Sequence, residues 1–139
     1  MRYLGLDLGT KTLGIAISDK TNTIATFYKV LKYNEDMMEL ILPLKEIIVE
    51  EKITEVALGL PKNMDNSCGF AVERSLKFKK IFEENIIGVK VNLVDERLTT
   101  VEATNYLLEQ DVSRKKRKKV VDGVAASIIL DTFLKMKGD

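Results

Sequence analysis

One carboxylate interrupts an otherwise apolar opening, Arg2-Tyr3-Leu4-Gly5-Leu6-Asp7-Leu8-Gly9, at the point where a strand should give way to a glycine turn. Side chains alternate along a strand, so Leu4, Leu6 and Leu8 share one face while Tyr3, Gly5, Asp7 and Gly9 share the other. Asp7 therefore stands on a face cleared by glycines. A charged carboxylate in such surroundings is costly unless it is paired, hydrogen-bonded or bound to a metal. The rest of the fold has to bring something to it.

The chain that must do so is short. Its 139 residues, 45% of them hydrophobic, suit one domain over residues 1–139 with a single core. After the Gly9-Thr10-Lys11-Thr12 turn, Gly14 to Ser18 alternates as a returning antiparallel strand, and a third strand is expected at Thr23 to Val30. Glu35 to Glu51 has helical spacing, with Pro43 marking either a kink or a shorter helix. Glu55 to Leu60 reads as a buried strand ended by Pro61 and a polar loop, and Phe70 to Glu84 as a helix. Lys90 to Val94 is a fifth strand with Asp95-Glu96-Arg97 at its end. Thr99 followed by Glu102 matches a capping box for a helix from about Thr100 to Gln110, and a last helix runs from about Lys118 to Met136. The expected fold class is α/β, with a mixed five-stranded sheet flanked by helices.

Charge and residue usage exclude several chemistries. The chain has no histidine, so no His-based general base, nucleophile partner or metal ligand comes from within it. Cys68 is the only cysteine, which excludes an intrachain disulfide. No apolar stretch approaches the length that spans a bilayer and no signal-type segment precedes the first strand, so the chain reads as cytoplasmic and without a membrane partner. The net charge is only +1, yet Arg114-Lys115-Lys116-Arg117-Lys118-Lys119 is an unbroken run of six cations. Such a run attracts phosphate locally, or forms a solvated helix start.

Two further acids stand out. On a helix, Asp122 shares a face with Ala125, Ala126, Ile129 and Phe133, the face that should pack inward, whereas Asp131 points the other way. The alanines let that helix approach the sheet closely. The alternative for Asp122 is a helix-terminal acid interacting with the dipole. Glu96 follows a strand directly, where ligands gather in open α/β sheets; a loop acid paired with Arg97 is its simpler reading, and Asp95 could exchange roles with it. Asp7, Glu96 and Asp122 together would form an all-oxygen site suited to Mg²⁺ or Mn²⁺, able to support phosphodiester hydrolysis without histidine.

Four separated segments then carry a family resemblance: Gly5 to Asp19, Gly59-Leu60-Pro61-Lys62-Asn63-Met64-Asp65, Asp95-Glu96-Arg97-Leu98-Thr99-Thr100 and Asp122-Gly123-Val124-Ala125-Ala126. In this order they resemble the Holliday junction resolvase-like family also called pre-16S rRNA nucleases, over nearly the whole chain. The resemblance implies a ribonuclease H-like fold, a divalent metal held by the catalytic acids Asp7, Glu96 and Asp122, and endonucleolytic cleavage of structured nucleic acid, with 5′-end maturation of pre-16S rRNA as the role. Partners would be pre-16S rRNA or branched DNA and ribosomal precursor particles, with the protein a monomer or weak homodimer. The chain departs from the pattern at Thr12, where some members carry Arg, and at Asn66, where many carry Gly.

Neighbouring residues acquire roles beside the acids. Lys11 in the turn next to Asp7 could contact a phosphate, Arg97 could steady the scissile phosphate, and Arg114, Lys115, Lys116 and Arg117 could grip the backbone. Thr99 could bind substrate, although helix capping already explains a threonine there. Two other classes compete. Asp7-Leu8-Gly9-Thr10-Lys11 also resembles the first phosphate-binding turn of sugar kinases and actin, but those proteins need two such domains and no second glycine-rich motif is present. A non-catalytic RNA-binding ribosome-assembly factor would bind RNA in a salt-sensitive way without cutting it.

Overall fold

The computed structural model describes residues 2–34, 36–60, 70–95 and 114–138, with the backbone alone at 70, 71, 114–124 and 138. Five strands form one sheet: β1 (Arg2–Leu8), β2 (Thr12–Ser18), β3 (Ala25–Lys32), β4 (Ile53–Leu60) and β5 (Lys90–Asp95), in the order β3-β2-β1-β4-β5. The first three pair antiparallel, and β4 and β5 add in parallel on the other side of β1. The mixed five-stranded sheet is the one expected from sequence. The expected capped helix at 100–110 and the Pro61 to Cys68 loop lie outside the described residues.

Helix boundaries follow local chemistry. Asp36 caps a short 3₁₀ turn, Met37–Leu40, by accepting the Met38 amide at 2.9 Å. Helix α1 (Ile41–Glu51) follows, so Pro43 falls in its first turn, where the missing N–H costs no helical bond. The helix is thus the shorter of the two forms expected. It ends on Lys52 in the left-handed conformation, φ 55°. Helix α2 spans Phe70–Asn85 and α3 spans Arg114–Gly138. Helix α3 starts earlier than expected and takes the whole basic run into its opening turns. None of the helices among the described residues is long and apolar enough to cross a membrane.

The sheet is covered unequally. One face packs Leu4, Leu6 and Leu8 against Ile41, Leu44 and Ile47 of α1 and Phe78 and Phe82 of α2. The other packs Ala16, Ala57 and Val94 against Ala126, Ile129, Leu130, Phe133 and Leu134 of α3. Alternation along β1 therefore turns its leucines to α1 and α2, and Tyr3, Gly5 and Asp7 to α3.

Candidate nuclease site

Helix α3 runs antiparallel to β1. The Tyr3 ring meets Phe133 edge-on, with centroids 5.7 Å apart. Two residues along the strand, Gly5 lies against the preceding turns of the helix: a Cβ placed on Gly5 would stand 2.6 Å from the Ala126 carbonyl oxygen and 2.6 Å from Leu130 Cβ. No side chain fits there. Glycine at position 5 is required by contact rather than by backbone conformation. Asp7 lies two residues, about 6 Å, beyond Gly5 along the strand, and Asp122 one helical turn, about 6 Å, before Ala126 along the helix. Of the inward face expected for this helix, Ala126, Ile129 and Phe133 are buried and Ala125 is half-buried; Leu130 and Leu134 are buried as well, so the packed face is wider and turned towards them, while Asp131 pairs with Lys135 at 3.0 Å.

Asp7 itself is half-buried near the C-terminal end of β1 and sits directly opposite Gly14 of β2. On its other side, Leu6 is in register with Leu58, which brings Asp7 level with Gly59 of β4. Glycines therefore border Asp7 along and across the sheet. The adjoining turn is fastened from outside. Gly9 donates its amide to the Thr12 carbonyl at 2.8 Å, and Tyr33 donates its amide to the Lys11 carbonyl at 3.0 Å and its hydroxyl to the Gly9 carbonyl at 2.5 Å. Burial pushes the Tyr33 pKa up, so the hydroxyl stays a donor. Lys11 is exposed at the tip of this turn.

Sequence reasoning passed over Tyr33; an aromatic ring with a polar tip at the end of a strand was the available signal. Asp95 is the last residue of β5. Val91 packs with the α1 and α2 cluster and Val94 with the α3 cluster, so alternation assigns Asp95 to the face away from Asp7. Glu96, Arg97 and Thr99 lie outside the described residues. Arg114, Lys115, Lys116 and Arg117 form the first turn of α3, which contains no acidic residue. Among the described residues no three His, Cys, Asp or Glu side chains converge, and of Asp122 only the backbone is described.

At the far end of the same face an acid is visibly satisfied. Lys137 Nζ lies 2.5 Å from Glu55 Oε2 and 5.2 Å from the centre of the Tyr3 ring, while Asn92 donates to Glu55 Oε1 at 3.3 Å. Burial raises the Glu55 pKa, but the Lys137 and Asn92 hydrogen bonds and nearby positive charge outweigh it, and the carboxyl ends below its ordinary value. The hydrogen bond to Glu55 holds Lys137 above its own.

A family model described as the Holliday junction resolvase RuvX matches residues 1–136. The chain belongs to the RuvX family. Curated relatives agree: a protein of Leuconostoc mesenteroides named "putative pre-16S rRNA nuclease" is 47% identical, covering 99% of this chain and 97% of its own length. A Staphylococcus haemolyticus protein of the same name is 46% identical over 96% of this chain and 94% of its own. Among solved structures, Thermus thermophilus RuvC in complex with a Holliday junction substrate superposes with a TM-score of 0.58 at 15% identity, covering 99% of this chain and 96% of that one. A fowlpox virus resolvase complexed with Holliday junction DNA gives 0.56 at 16% identity, with both chains fully covered. The RuvX chain thus has the ribonuclease H-like fold, and its family membership makes it a nuclease.

Proposed function

We propose that this RuvX-family chain is a metal-dependent endonuclease that hydrolyses phosphodiester bonds in structured nucleic acid and matures the 5′ end of pre-16S rRNA. The observation that carries this reading is the direct contact of Gly5 with the Ala126 and Leu130 turns of α3. It brings the helix bearing Asp122 down on the strand bearing Asp7 without an intervening side chain. Glu96 is the third acid, since Asp95 belongs to the opposite face of β5. The names of the curated relatives support the rRNA substrate. Branched DNA is the second candidate, favoured by the resolvase description of the family.

The donor set fits a hard divalent cation. The three acids offer only oxygen donors in a chain without histidine, and among the described residues the neighbours of Asp7 along and across the sheet are glycines, which carry no side chain to compete with an ion and its waters. When bound, Mg²⁺ or Mn²⁺ supplies an activated water and neutralises charge on the scissile phosphate. Asp7, Glu96 and Asp122 would hold it. Lys11 on its fastened turn, Arg97 and Thr99 would orient the phosphate, and Arg114, Lys115, Lys116 and Arg117 would bind flanking backbone.

The basic turn supports the last of these roles. Six cations at the positive end of a helix dipole, with no acid among them, oppose local helix stability. Bound phosphates remove that repulsion. The test is a panel of pre-16S rRNA, unstructured RNA and four-way DNA junctions incubated with Mg²⁺ or Mn²⁺, with Asp7→Asn and Glu96→Gln beside the native chain. Cleavage of the precursor that disappears in both variants is expected, and cleavage unchanged by both would refute the site. Salt-sensitive RNA binding with no metal-dependent cleavage by the native chain would point instead to a non-catalytic assembly factor.

A further inference from the structure

We propose that Gly5 is a positioning residue that tunes the size of cation the nuclease accepts, by fixing how closely α3, the helix that carries Asp122, approaches β1, the strand that carries Asp7. This deepens the reading above and rests on those two acids sharing a metal. The contact has no slack. Ordinary van der Waals contact begins near 3.4 Å, and a Cβ at position 5 would meet two atoms at 2.6 Å. One is a main-chain carbonyl oxygen and the other a Cβ, so neither can rotate aside. Leu130 and Ala126 are both fully buried, and close packing transmits the strain. An alanine at position 5 therefore moves the helix outward by about 1 Å, the overlap that must be relieved.

The movement is a tilt, because the far end of α3 is anchored by the buried Phe133 and Leu134. Lys137 is bonded to Glu55 and Phe133 rests on Tyr3. At 1.5 Å per residue, the Gly5 contact lies about 13 Å from Lys137 and Asp122 about 22 Å from it. A displacement of about 1 Å at Gly5 thus grows to about 1.7 Å at Asp122 by simple leverage. Mg²⁺ requires near-octahedral oxygen ligands at about 2.0–2.1 Å, whereas Ca²⁺ accepts about 2.3–2.6 Å and irregular geometry. Widening the space between the two acids penalises the small ion first. Gly5 thereby acts through the acids, without touching metal or substrate.

The experiment follows the thermal midpoint of the full chain against Mg²⁺ and, separately, Ca²⁺ concentration, without nucleic acid, for the native chain, Gly5→Ala and Asp7→Asn. Ion-dependent stabilisation reports affinity by mass action. Gly5→Ala should lose about tenfold or more in apparent Mg²⁺ affinity and less than about threefold for Ca²⁺, with Mg²⁺-supported cleavage reduced about 100-fold. Unchanged affinities for both ions in a less stable Gly5→Ala chain would show the contact to be packing alone. An equal loss for both ions would equally overturn the size effect.

Asp7→Asn separates the two levels. If it abolishes the ion response while Gly5→Ala retains it in full, only the positioning role fails. If Asp7→Asn keeps the response, or the native chain has none, the shared metal fails and the inference with it. Should Gly5→Ala not fold, Leu130→Ile adds a branch at the Cβ facing Gly5 while conserving volume. It should shift the Mg²⁺ to Ca²⁺ affinity ratio in the same direction, and an unaltered ratio would count against the proposal.

Discussion

On one side of β1, Leu4, Leu6 and Leu8 meet Leu44, Ile47, Phe78 and Phe82, all large and buried; on the other, the same strand presents Gly5 and Asp7 to a helix that approaches through Ala126. Seven consecutive residues therefore serve two purposes by alternation alone. The leucine face gains free energy by removing large apolar surfaces from water. The glycine face gives up that gain and obtains proximity instead, letting the backbone of α3 come down directly on the strand at Gly5. Within the α3 face the contrast repeats: at one end Glu55 is held by Lys137 and Asn92, and at the other Asp7 is bordered by glycines. The end whose acid is neutralised by a lysine ties the helix to the sheet; the end bordered by glycines is where the proposed function puts its chemistry.

Paired substitutions on adjacent residues of β1 test this division most sharply. Asp7→Asn should lower cleavage on the order of 10³-fold, equivalent to several kcal/mol of transition-state stabilisation, with the thermal midpoint almost unchanged. Leu6→Ala, one residue away but on the other face, should cost roughly 2–5 kcal/mol of unfolding free energy while leaving cleavage per folded molecule intact. Urea unfolding and single-turnover cleavage on both variants decide the matter. If Leu6→Ala lost activity in the folded chain, or Asp7→Asn unfolded it, the two faces would not be separable.

A smaller effect is expected at the basic start of α3. Replacing Arg114, Lys115, Lys116 and Arg117 with Gln should reduce the slope of log affinity against log salt by about 0.7–0.9 for each phosphate that is no longer neutralised. Binding should weaken across sequences, while the cleavage rate at saturating substrate holds. Fluorescence anisotropy at several salt concentrations measures the slope, and an unchanged slope would return the run to a solvated helix start.

The smallest effect belongs to the clamp at the far end. Because Lys137 is partly exposed, Glu55→Gln should cost no more than about 1 kcal/mol at neutral pH. The Glu55 pKa is lower folded than unfolded, so its contribution is present above the unfolded value and lost as pH falls through the folded one. The stability gap between native chain and Glu55→Gln should therefore close in acid. A gap constant from pH 7 to pH 3 would mean that the charge of Glu55 is not what ties down α3.

Much of this was legible in one dimension. The period-two alternation of β1 assigned Asp7 to its face, and the period-3.6 pattern after Asp122 assigned Ala126, Ile129 and Phe133 to the core, because both repeats are properties of backbone geometry. Strand ends were less legible: β2 begins at Thr12 and β4 at Ile53, earlier than their hydrophobic cores suggested, since pairing with neighbouring strands extends a strand past its apolar residues. The basic run was expected to lead into the last helix, with only Lys118 and Lys119 inside it. It opens that helix instead, against the preference of the helix dipole.

The role of Tyr33 in fastening the Gly9 turn and the Glu55–Lys137 tie could not be read from spacing, as each joins segments remote in the chain. By itself the sequence determined the raw material: no histidine, a carboxylate on the glycine-bearing face of a strand, and a helix with a small-residue surface. Tertiary structure decided the meeting. That α3 crosses β1 antiparallel, with Gly5 against Ala126 rather than any other pair in contact, depends on a crossing geometry that no local repeat encodes.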